Sequence, residues 1–218
     1  MKKTLIIANG ILPPKNIVEQ IVSTSDYIIC ADGGANTAKR FGVQPDIILG
    51  DMDSISMYTR KHFHRVPFLF IPDQTSTDLE KALDYCIKQR ISKVDVLGGI
   101  GSRTDHTTGT LGCFKKYGSK LHLRIFDMEG VITLIRKKVV LKMIFGEKLS
   151  LIPLDRCTGV TTKKLKYKLS NAVLELGVAE GISNAAEAKR VSISVKTGTL
   201  LLYRFYSYLT KQSNDRLT

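Results

Sequence analysis

The sequence predicts an α/β fold in which a parallel-sheet domain, residues 1–130, precedes a smaller β-sandwich, residues 131–218. Three observations support this prediction. Short apolar runs repeatedly end in Gly or Asp, as buried parallel strands do before a tight turn. Amphipathic helical segments lie between these runs, and this alternation is typical of an α/β sheet. Beyond about residue 130 the helical segments disappear, and short strands separated by Gly-containing turns replace them.

The first part of the chain supplies four candidate strands and three candidate helices. The strands are the apolar runs Leu5–Ala8, Tyr27–Ala31, Ile47–Leu49 and Val94–Leu97. The helices are predicted over Asn16–Ser23, Thr37–Phe41 and Thr77–Gln89. The third helix is the clearest, because Thr77 and Glu80 have the spacing of a capping box. Its apolar residues also fall on one helical stripe.

The second part of the chain contains only candidate strands. They cover 130–135, 139–145, 149–154, 162–169, 173–176, 191–195 and 199–205. Val191–Val195 alternates apolar and polar residues with period two, as a half-buried strand does. Thr197-Gly198, directly after it, is predicted to be a hairpin-like turn.

Composition excludes several classes of protein. The four cysteines form no CxxC pair, so neither a zinc site nor a disulfide framework is expected, and a reducing, cytoplasmic location is the default. No apolar run approaches the ~18 residues that a membrane span needs, so no membrane partner is expected.

The chain is strongly basic, with 33 Lys and Arg against 20 Asp and Glu and a formal net charge of +13. Most of the excess follows residue 130, which raises a nucleic-acid-binding module as an alternative function. The run Lys163–Lys168 is better explained as a half-buried strand with a solvated lysine face. The part of the chain after residue 130 lacks an RNP-type aromatic motif, so no nucleic-acid partner is expected.

Aspartates follow the predicted parallel strands at the points where those strands end. Asp32 follows the second strand, Asp51 and Asp53 follow the third, and Asp105 comes after the fourth. Ligands of open parallel sheets bind beyond the carboxyl ends of the strands. If residues 51–53 are extended, both carboxylates point to one side, where they need a cation between them. Mg²⁺ is the natural cation for such oxygen ligands, although any single aspartate could simply cap a helix or form a turn.

Glycines and an arginine accompany these aspartates. Gly33-Gly34 and the segment Gly98–Gly101 would let a ligand approach the backbone closely. Arg103 is a candidate for a bidentate phosphate contact, and an ordinary salt bridge to an aspartate is about equally expected. The chain has no P-loop motif. His106 is expected to make a structural hydrogen bond at a helix start. The cysteines are expected to be small buried residues.

Several motifs occur in order along the chain. The first three are Ala31-Asp32-Gly33-Gly34-Ala35-Asn36, Gly50-Asp51-Met52-Asp53-Ser54 and Asp73-Gln74-x-x-Thr77-Asp78-Leu79-Glu80-Lys81. Gly98-Gly99-x-Gly101-x-Arg103-x-Asp105-His106-Thr107 follows, and Leu165-Lys166-Tyr167 and Gly181-Ile182-Ser183-Asn184 come later. Together these motifs resemble the thiamine pyrophosphokinase family over roughly residues 5–205.

The resemblance implies a Rossmann-like nucleotide-binding domain followed by a β-sandwich that binds thiamine and forms a homodimer with shared active sites. It implies transfer of the pyrophosphoryl group of ATP to thiamine, giving thiamine diphosphate and AMP with Mg²⁺ as cofactor. The catalytic and metal-binding residues would be Asp32, Asp51, Asp53 and Asp105, with Arg103 also catalytic. ATP would contact Gly33, Asp73, Thr77, Asp78, Gly99, Gly101 and Arg103, and the substrate would contact Asn36, Gln74, Ser183 and Asn184.

The chain departs from the family pattern at three places. Ser102 stands where the family often has Gly, Thr110 where it often has Asn, and Tyr167 where it often has Trp. These changes leave the aspartates intact. A relative that binds nucleotide without turning it over is the remaining alternative.

Overall fold

The computed structural model describes residues 2–206, which divide into a first unit ending at Met128 and a second beginning at Glu129. The first unit alternates strands and helices, and the described part of the second consists of strands. The predicted mixed α/β class is therefore confirmed. The division falls close to the boundary expected at residue 130, while the function expected of each domain stays a prediction.

The described part of the first unit holds six strands and five helices. The strands are β1 (Lys3–Ile7), β2 (Tyr27–Ala31), β3 (Ile47–Gly50), β4 (Phe68–Phe70), β5 (Lys93–Leu97) and β6 (His122–Phe126). The helices are α1 (Lys15–Ser23), α2 (Gly34–Arg40), α3 (Met57–His62), α4 (Asp78–Lys88) and α5 (Thr104–Tyr117). The four apolar runs of the sequence correspond to β1, β2, β3 and β5. The sequence did not identify β4, β6, α3 or α5.

These six strands form a parallel sheet in the order β6-β5-β1-β2-β3-β4. The chain runs outward from β1 to β4 on one side and then returns to β5 on the other side of β1. This reversal makes β1 and β5 a topological switch point, and a crevice opens at the carboxyl ends of such strands. Leu5, Ile6 and Ile29 are fully buried, which explains why these strands are continuously apolar.

Helix α4 begins where its sequence predicts. The Thr77 hydroxyl accepts a hydrogen bond from the Glu80 backbone N–H at 3.3 Å, and the Glu80 carboxylate accepts one from the Thr77 backbone N–H at 2.9 Å. This capping box satisfies helix-end donors that would otherwise lack partners. Leu79, Ala82 and Leu83 are buried, so the apolar stripe faces the core.

The second unit contains eight described strands in two antiparallel sheets. They are β7 (Gly130–Ile135), β8 (Lys138–Lys142), β9 (Lys148–Pro153), β10 (Cys157–Lys163), β11 (Ala172–Leu174), β12 (Gly181–Ala185), β13 (Arg190–Ser194) and β14 (Leu200–Phe205). One sheet has the order β12-β9-β14-β7, and the other has the order β11-β10-β13-β8. Buried residues from both sheets, such as Leu149, Leu202, Val160 and Val191, form one cluster.

Two expectations for this unit are wrong, and one strand was not predicted. The segment 162–169 is not one strand, because β10 ends at Lys163 and the lysine-rich residues after it form bends with a single bridge from Leu165 to Ala186. Thr197-Gly198 does not close a hairpin, since β13 pairs with β8 and β10 while β14 pairs with β7 and β9. The sequence also missed β12, which contains Ser183 and Asn184.

The helix expected over Thr37–Phe41 begins earlier, at Gly34, directly after the turn at the end of β2. Within the described residues, no helix is both long and apolar enough to cross a membrane.

Candidate active site

A cavity of about 470 Å³ lies at the carboxyl ends of the parallel strands in the first unit. Its walls come from the residues that follow β1, β2, β3 and β5 and from the start of α4. The predicted site residues that line it are Asp32, Gly33, Asp51, Asp53, Gln74, Thr77, Asp78, Gly99, Gly101 and Arg103. The sheet topology thus brings most of the predicted residues of this unit to one place.

Three carboxylates in this cavity lie close enough to share one ion. Asp32, Asp51 and Asp78, here called the acidic group, each offer one oxygen, and these oxygens lie within 4.8 Å of one another. Asp32 follows β2, Asp51 follows β3, and Asp78 is the first residue of α4. The sequence predicted the first two as metal ligands and assigned Asp78 to ATP.

Asp32 is the most deeply placed member of the acidic group, with 1% of its surface exposed. Its Oδ2 accepts a hydrogen bond from the Ser54 backbone N–H at 3.0 Å. Its Oδ1 is buried and has no hydrogen-bond partner among residues 2–206. Burial raises the pKa of the Asp32 carboxyl above its ordinary value, because a desolvated carboxylate is costly. A bound cation is the kind of partner that would satisfy such an oxygen.

Lys81 supplies a buried positive charge to the same group. Its Nζ lies 3.1 Å from Asp51 Oδ2 and 2.9 Å from Asp78 Oδ1, and its side chain is 3% exposed. The hydrogen bond from Lys81, assisted by one from Gln74 at 3.0 Å, lowers the pKa of Asp51. Burial opposes the charged form of Lys81, but the bonds to Asp78 and Asp51 raise its pKa above the ordinary value.

Sequence reasoning gave Lys81 no role. The available signal was its position three residues after Asp78, beside the apolar residues of a helix whose buried stripe was already identified. A lysine on that face needs an acidic partner.

Gly50 permits the close approach of Asp32 and Asp78. Its φ is +143°, and a Cβ added there would lie 2.8 Å from the Asp32 Cβ and 3.0 Å from Asp78 Oδ1. Contacts that short force neighbouring atoms to move. The glycine at the end of β3 is therefore required by the geometry of the acidic group.

Asp53 lies outside the acidic group. The extended geometry expected for residues 51–53 is wrong, because Met52 has a φ of +65° and the chain bends there. Asp53 instead accepts a hydrogen bond from the Ser54 hydroxyl at 2.8 Å. Its function as a metal ligand stays a prediction.

Arg103 and Asp105 form a separate, exposed pair, here called the surface pair. Arg103 Nε lies 3.1 Å from Asp105 Oδ1, and Nη2 lies 2.5 Å from Oδ2. The two side chains are 65% and 62% exposed. The salt bridge considered for Arg103 is thus present, and it lowers the pKa of Asp105 to about 2. Arg103 lines the cavity, whereas Asp105 is neither among the lining residues nor in the acidic group.

Hydrogen bonds among the polar residues that precede α4 hold this part of the chain in place. Asp73 accepts hydrogen bonds from the hydroxyls of Thr75 and Ser76, and the bond from Ser76 is the largest cause of a pKa lowered to about 2. Thr77 caps the helix, and Gln74 donates to Asp51. These contacts fix the direction in which Asp78 enters the cavity.

Asn36 has a structural role in this unit. Its amide donates to the Ser54 carbonyl at 2.8 Å and accepts from the Ser56 backbone N–H at 3.0 Å. It lines a neighbouring cavity of about 560 Å³ rather than the one with the acidic group. Its expected contact with substrate stays a prediction.

Ser183 and Asn184 lie in β12 of the second unit. Asn184 is 3% exposed, and its side chain accepts from the Tyr167 backbone N–H at 3.0 Å and donates to the Tyr167 carbonyl at 2.7 Å. Ser183 is exposed and has a φ of +58°, which is unusual for a non-glycine residue. Asn184 therefore fixes the chain at Tyr167, and Ser183 is the one of the two with an exposed side chain.

His106 lines the cavity, and its backbone N–H donates to Asp105 Oδ1 at 2.9 Å. The four cysteines are free and buried, as expected. Burial raises the pKa of Cys86 to about 12, so its thiol is not activated as a nucleophile.

Two family models match the chain, one in each unit. The model described as thiamin pyrophosphokinase, catalytic domain, matches residues 18–126. The model described as thiamin pyrophosphokinase, vitamin B1 binding domain, matches residues 133–200.

Curated proteins and solved structures agree with these matches. A thiamine pyrophosphokinase of Bacillus subtilis is 27% identical, with 94% of this chain and 99% of the relative covered. Thiamin pyrophosphokinase 1 of Caenorhabditis elegans is 28% identical, with 86% and 82% covered. The crystal structure of the Bacillus subtilis enzyme superposes with a TM-score of 0.80 at 25% identity, covering 94% of this chain and 100% of that one. The enzyme from Candida albicans shares the fold, with a TM-score of 0.82 at 18% identity over 94% and 89% of the two chains.

Proposed function

The chain belongs to the thiamin pyrophosphokinase family, and from that premise we propose that it transfers the pyrophosphoryl group of ATP to thiamine. The hydroxyl oxygen of thiamine forms a bond to the β-phosphorus of ATP. The bond from that phosphorus to the oxygen bridging the α- and β-phosphates breaks, and AMP leaves with that oxygen. The hydroxyl proton is released, and thiamine diphosphate is the second product.

The acidic group is the observation that carries the catalytic part of this proposal. Its three carboxylates present only oxygen ligands, which suit a hard divalent cation such as Mg²⁺. The buried Oδ1 of Asp32, without a partner in the described chain, fits the same interpretation. A bound Mg²⁺ would neutralise charge on the triphosphate during transfer. Asp32, Asp51 and Asp78 are the residues proposed to hold it.

The remaining cavity residues are proposed to position ATP. Gly33, Gly99 and Gly101 would let the phosphates approach the backbone, and Thr77 lies at the start of α4. Arg103 has the planar guanidinium that pairs with a phosphate in two-point fashion. Because Arg103 is exposed and its present partner is the exposed Asp105, a phosphate can replace that carboxylate at little desolvation cost.

Three aspartates contribute indirectly in this proposal. Asp53 orients the Ser54 hydroxyl, and Asp73 holds the turn that leads into α4. Asp105 orients Arg103 until the nucleotide binds. Direct coordination of the metal by Asp53 and Asp105, which the resemblance implies, is not part of the proposal, because neither belongs to the acidic group.

The second unit is proposed to be the thiamine-binding and dimer-forming β-sandwich. The match to a vitamin B1 binding domain over residues 133–200 supports this. Ser183 is proposed to contact thiamine directly, and Asn184 to act by holding the chain at Tyr167. A homodimer and a cytoplasmic location belong to the same proposal, and the four unpaired thiols suit a reducing compartment.

Product analysis tests this function. Purified protein, ATP, thiamine and Mg²⁺ should yield AMP and thiamine diphosphate in equal amounts, resolved by chromatography. Asp51→Asn should lower turnover at least 10³-fold, because it removes one member of the acidic group and a partner of Lys81. Asp84→Asn removes a carboxylate on α4 that does not line the cavity, and it is the control. Formation of ADP instead of AMP would refute the reaction.

A further inference from the structure

Lys81 is a buried ammonium whose two acidic partners both belong to the acidic group. Its side chain is 3% exposed, and its Nζ lies within 3.1 Å of oxygens from Asp51 and Asp78. An ammonium withdrawn from water is costly unless it is paired. The two contacts provide that pairing, and they also draw together the carboxylates of residues that are far apart in the sequence.

The charges of the cavity follow from this arrangement. With all groups ionised, the three carboxylates of the acidic group and Lys81 leave two negative charges, and Asp53, which also lines the cavity, adds a third. Arg103, the other Lys or Arg residue in the cavity lining, is paired with Asp105. Without the Lys81 ammonium, the acidic group alone would carry three negative charges and would attract a divalent ion more strongly.

We propose that Lys81 is a positioning residue that acts as an internal counter-ion of the acidic group and thereby sets the strength of divalent-ion binding. Lys81 holds Asp51 and Asp78 together and weakens binding of the divalent ion, because the ammonium and the ion share the same oxygens. Asp32, whose Oδ1 lacks a partner among the described residues, is left to the ion alone. This inference rests on the proposed metal site.

Direct metal binding tests the inference without turnover. Full-length protein without nucleotide is titrated with Mn²⁺, and free Mn²⁺ is measured by electron paramagnetic resonance. Lys81→Met should bind Mn²⁺ at least tenfold more tightly than wild type, while its turnover with saturating Mg²⁺ falls at least tenfold. Lys81→Arg, which keeps the charge, should stay within about threefold of the wild-type affinity. The matched control is Lys116→Met, which removes a lysine that pairs with Glu80 outside the acidic group and should leave Mn²⁺ affinity unchanged.

A charge-balanced double variant separates electrostatics from simple structural support. Asp78→Asn alone should weaken Mn²⁺ binding, and adding Lys81→Met should recover at least tenfold of that loss, because the net charge returns to its original value. A merely structural lysine predicts additive losses in the double variant. The comparison of Asp78→Asn with the double variant also provides the test if Lys81→Met alone fails to fold.

The outcomes are distinct. Equal or weaker Mn²⁺ binding in Lys81→Met, or additive losses in the double variant, overturns the role of Lys81. Absence of Mn²⁺ binding to the wild-type protein, both alone and with ATP, overturns the proposed metal site itself. Tighter Mn²⁺ binding together with slower turnover in Lys81→Met supports both the role of Lys81 and the proposed metal site.

Discussion

The acidic group with Lys81 and the surface pair each join aspartate to a basic side chain, in opposite surroundings. Asp32 is 1% exposed and Lys81 has a side chain 3% exposed, whereas Arg103 and Asp105 are 65% and 62% exposed. Both sites come after the ends of strands in one sheet, and both contain an ion pair. Burial is the difference between them.

This difference separates a fixed site from an exchangeable one. Asp32 is buried, and Asp51 and Asp78, with side chains 15% and 32% exposed, share the buried Lys81 ammonium. The positions in this group are therefore constrained by Lys81 and by the close approach at Gly50. An exposed pair keeps its hydration on both sides and contributes little to stability, so either partner can leave for a ligand. We therefore expect the acidic group to determine whether the reaction occurs and the surface pair to adjust how ATP binds.

The largest expected effect is the loss of turnover on removing a charge from the acidic group. Asp78→Asn should lower kcat/KM about 10³-fold, equivalent to about 4 kcal/mol of transition-state stabilisation. Asp105→Asn, the equivalent change in the surface pair, should cost only about tenfold. Steady-state kinetics of both variants measure the contrast. Equal losses would show that Asp105 joins the acidic group during turnover and would remove the distinction.

The next largest effect is expected at Gly50, where the acidic group is most crowded. Gly50→Ala should lower the free energy of unfolding by about 3 kcal/mol, because the new Cβ would overlap the Asp32 Cβ and approach Asp78 Oδ1. Denaturant titration measures this loss. Gly42→Ala is the matched control, since Gly42 also has a positive φ, +66°, but open space around it. A Gly42→Ala loss as large as that at Gly50 would attribute the effect to the backbone alone.

A smaller effect is expected from a conservative change in the surface pair. Arg103→Lys keeps the charge but loses the two-point geometry, and the KM for ATP should rise about tenfold while the melting temperature stays unchanged. The KM for thiamine should not move. A fall in melting temperature, measured by calorimetry, would place Arg103 among residues that support the fold.

The smallest effect is a gain in stability. Burial raises the pKa of Asp32, so the unfolded state loses this proton at lower pH than the folded state does. The resulting cost is absent below the unfolded pKa and grows as the pH rises through the folded one. Asp32→Asn should therefore raise the melting temperature above neutral pH by roughly 2–4 °C, on the order of 1 kcal/mol, while turnover is lost.

Melting curves at pH 4 and pH 8, without divalent ions, provide the control for that prediction. The gain from Asp32→Asn should shrink at pH 4, where the unfolded carboxyl is itself about half protonated. A gain of equal size at both pH values would mean that charge is not its cause.

The sequence predicted features that depend on local patterns. Helix α4 follows from a capping box and an apolar stripe, and both lie within one segment. The strands β1, β2, β3 and β5 follow from runs that are apolar on both faces. The position of Asp32 and Asp51 at one edge follows from the rule for parallel strands.

Features that depend on distant contacts were not predictable in the same way. The positive φ of Met52 breaks the extended geometry expected for residues 51–53, and no residue type in Asp51-Met52-Asp53 indicates it. Asp78 joins the acidic group because Gly50 admits it, which needs the packing of α4 against β3. The resemblance implies a substrate contact for Asn184, but sequence alone does not show that its amide bonds to the Tyr167 backbone, a partner that becomes adjacent only when β12 forms.

The members of the acidic group come from three separated stretches of chain, at residues 32, 51 and 78. A ligand that held all three would act as a reversible crosslink over the segment between them, which contains α2, β3, α3 and β4. Crosslinks reduce the freedom of the unfolded chain, and a ligand that binds only the folded form stabilises it by mass action. Resistance of this segment to proteases would then report occupancy of the site, even for compounds that are never turned over.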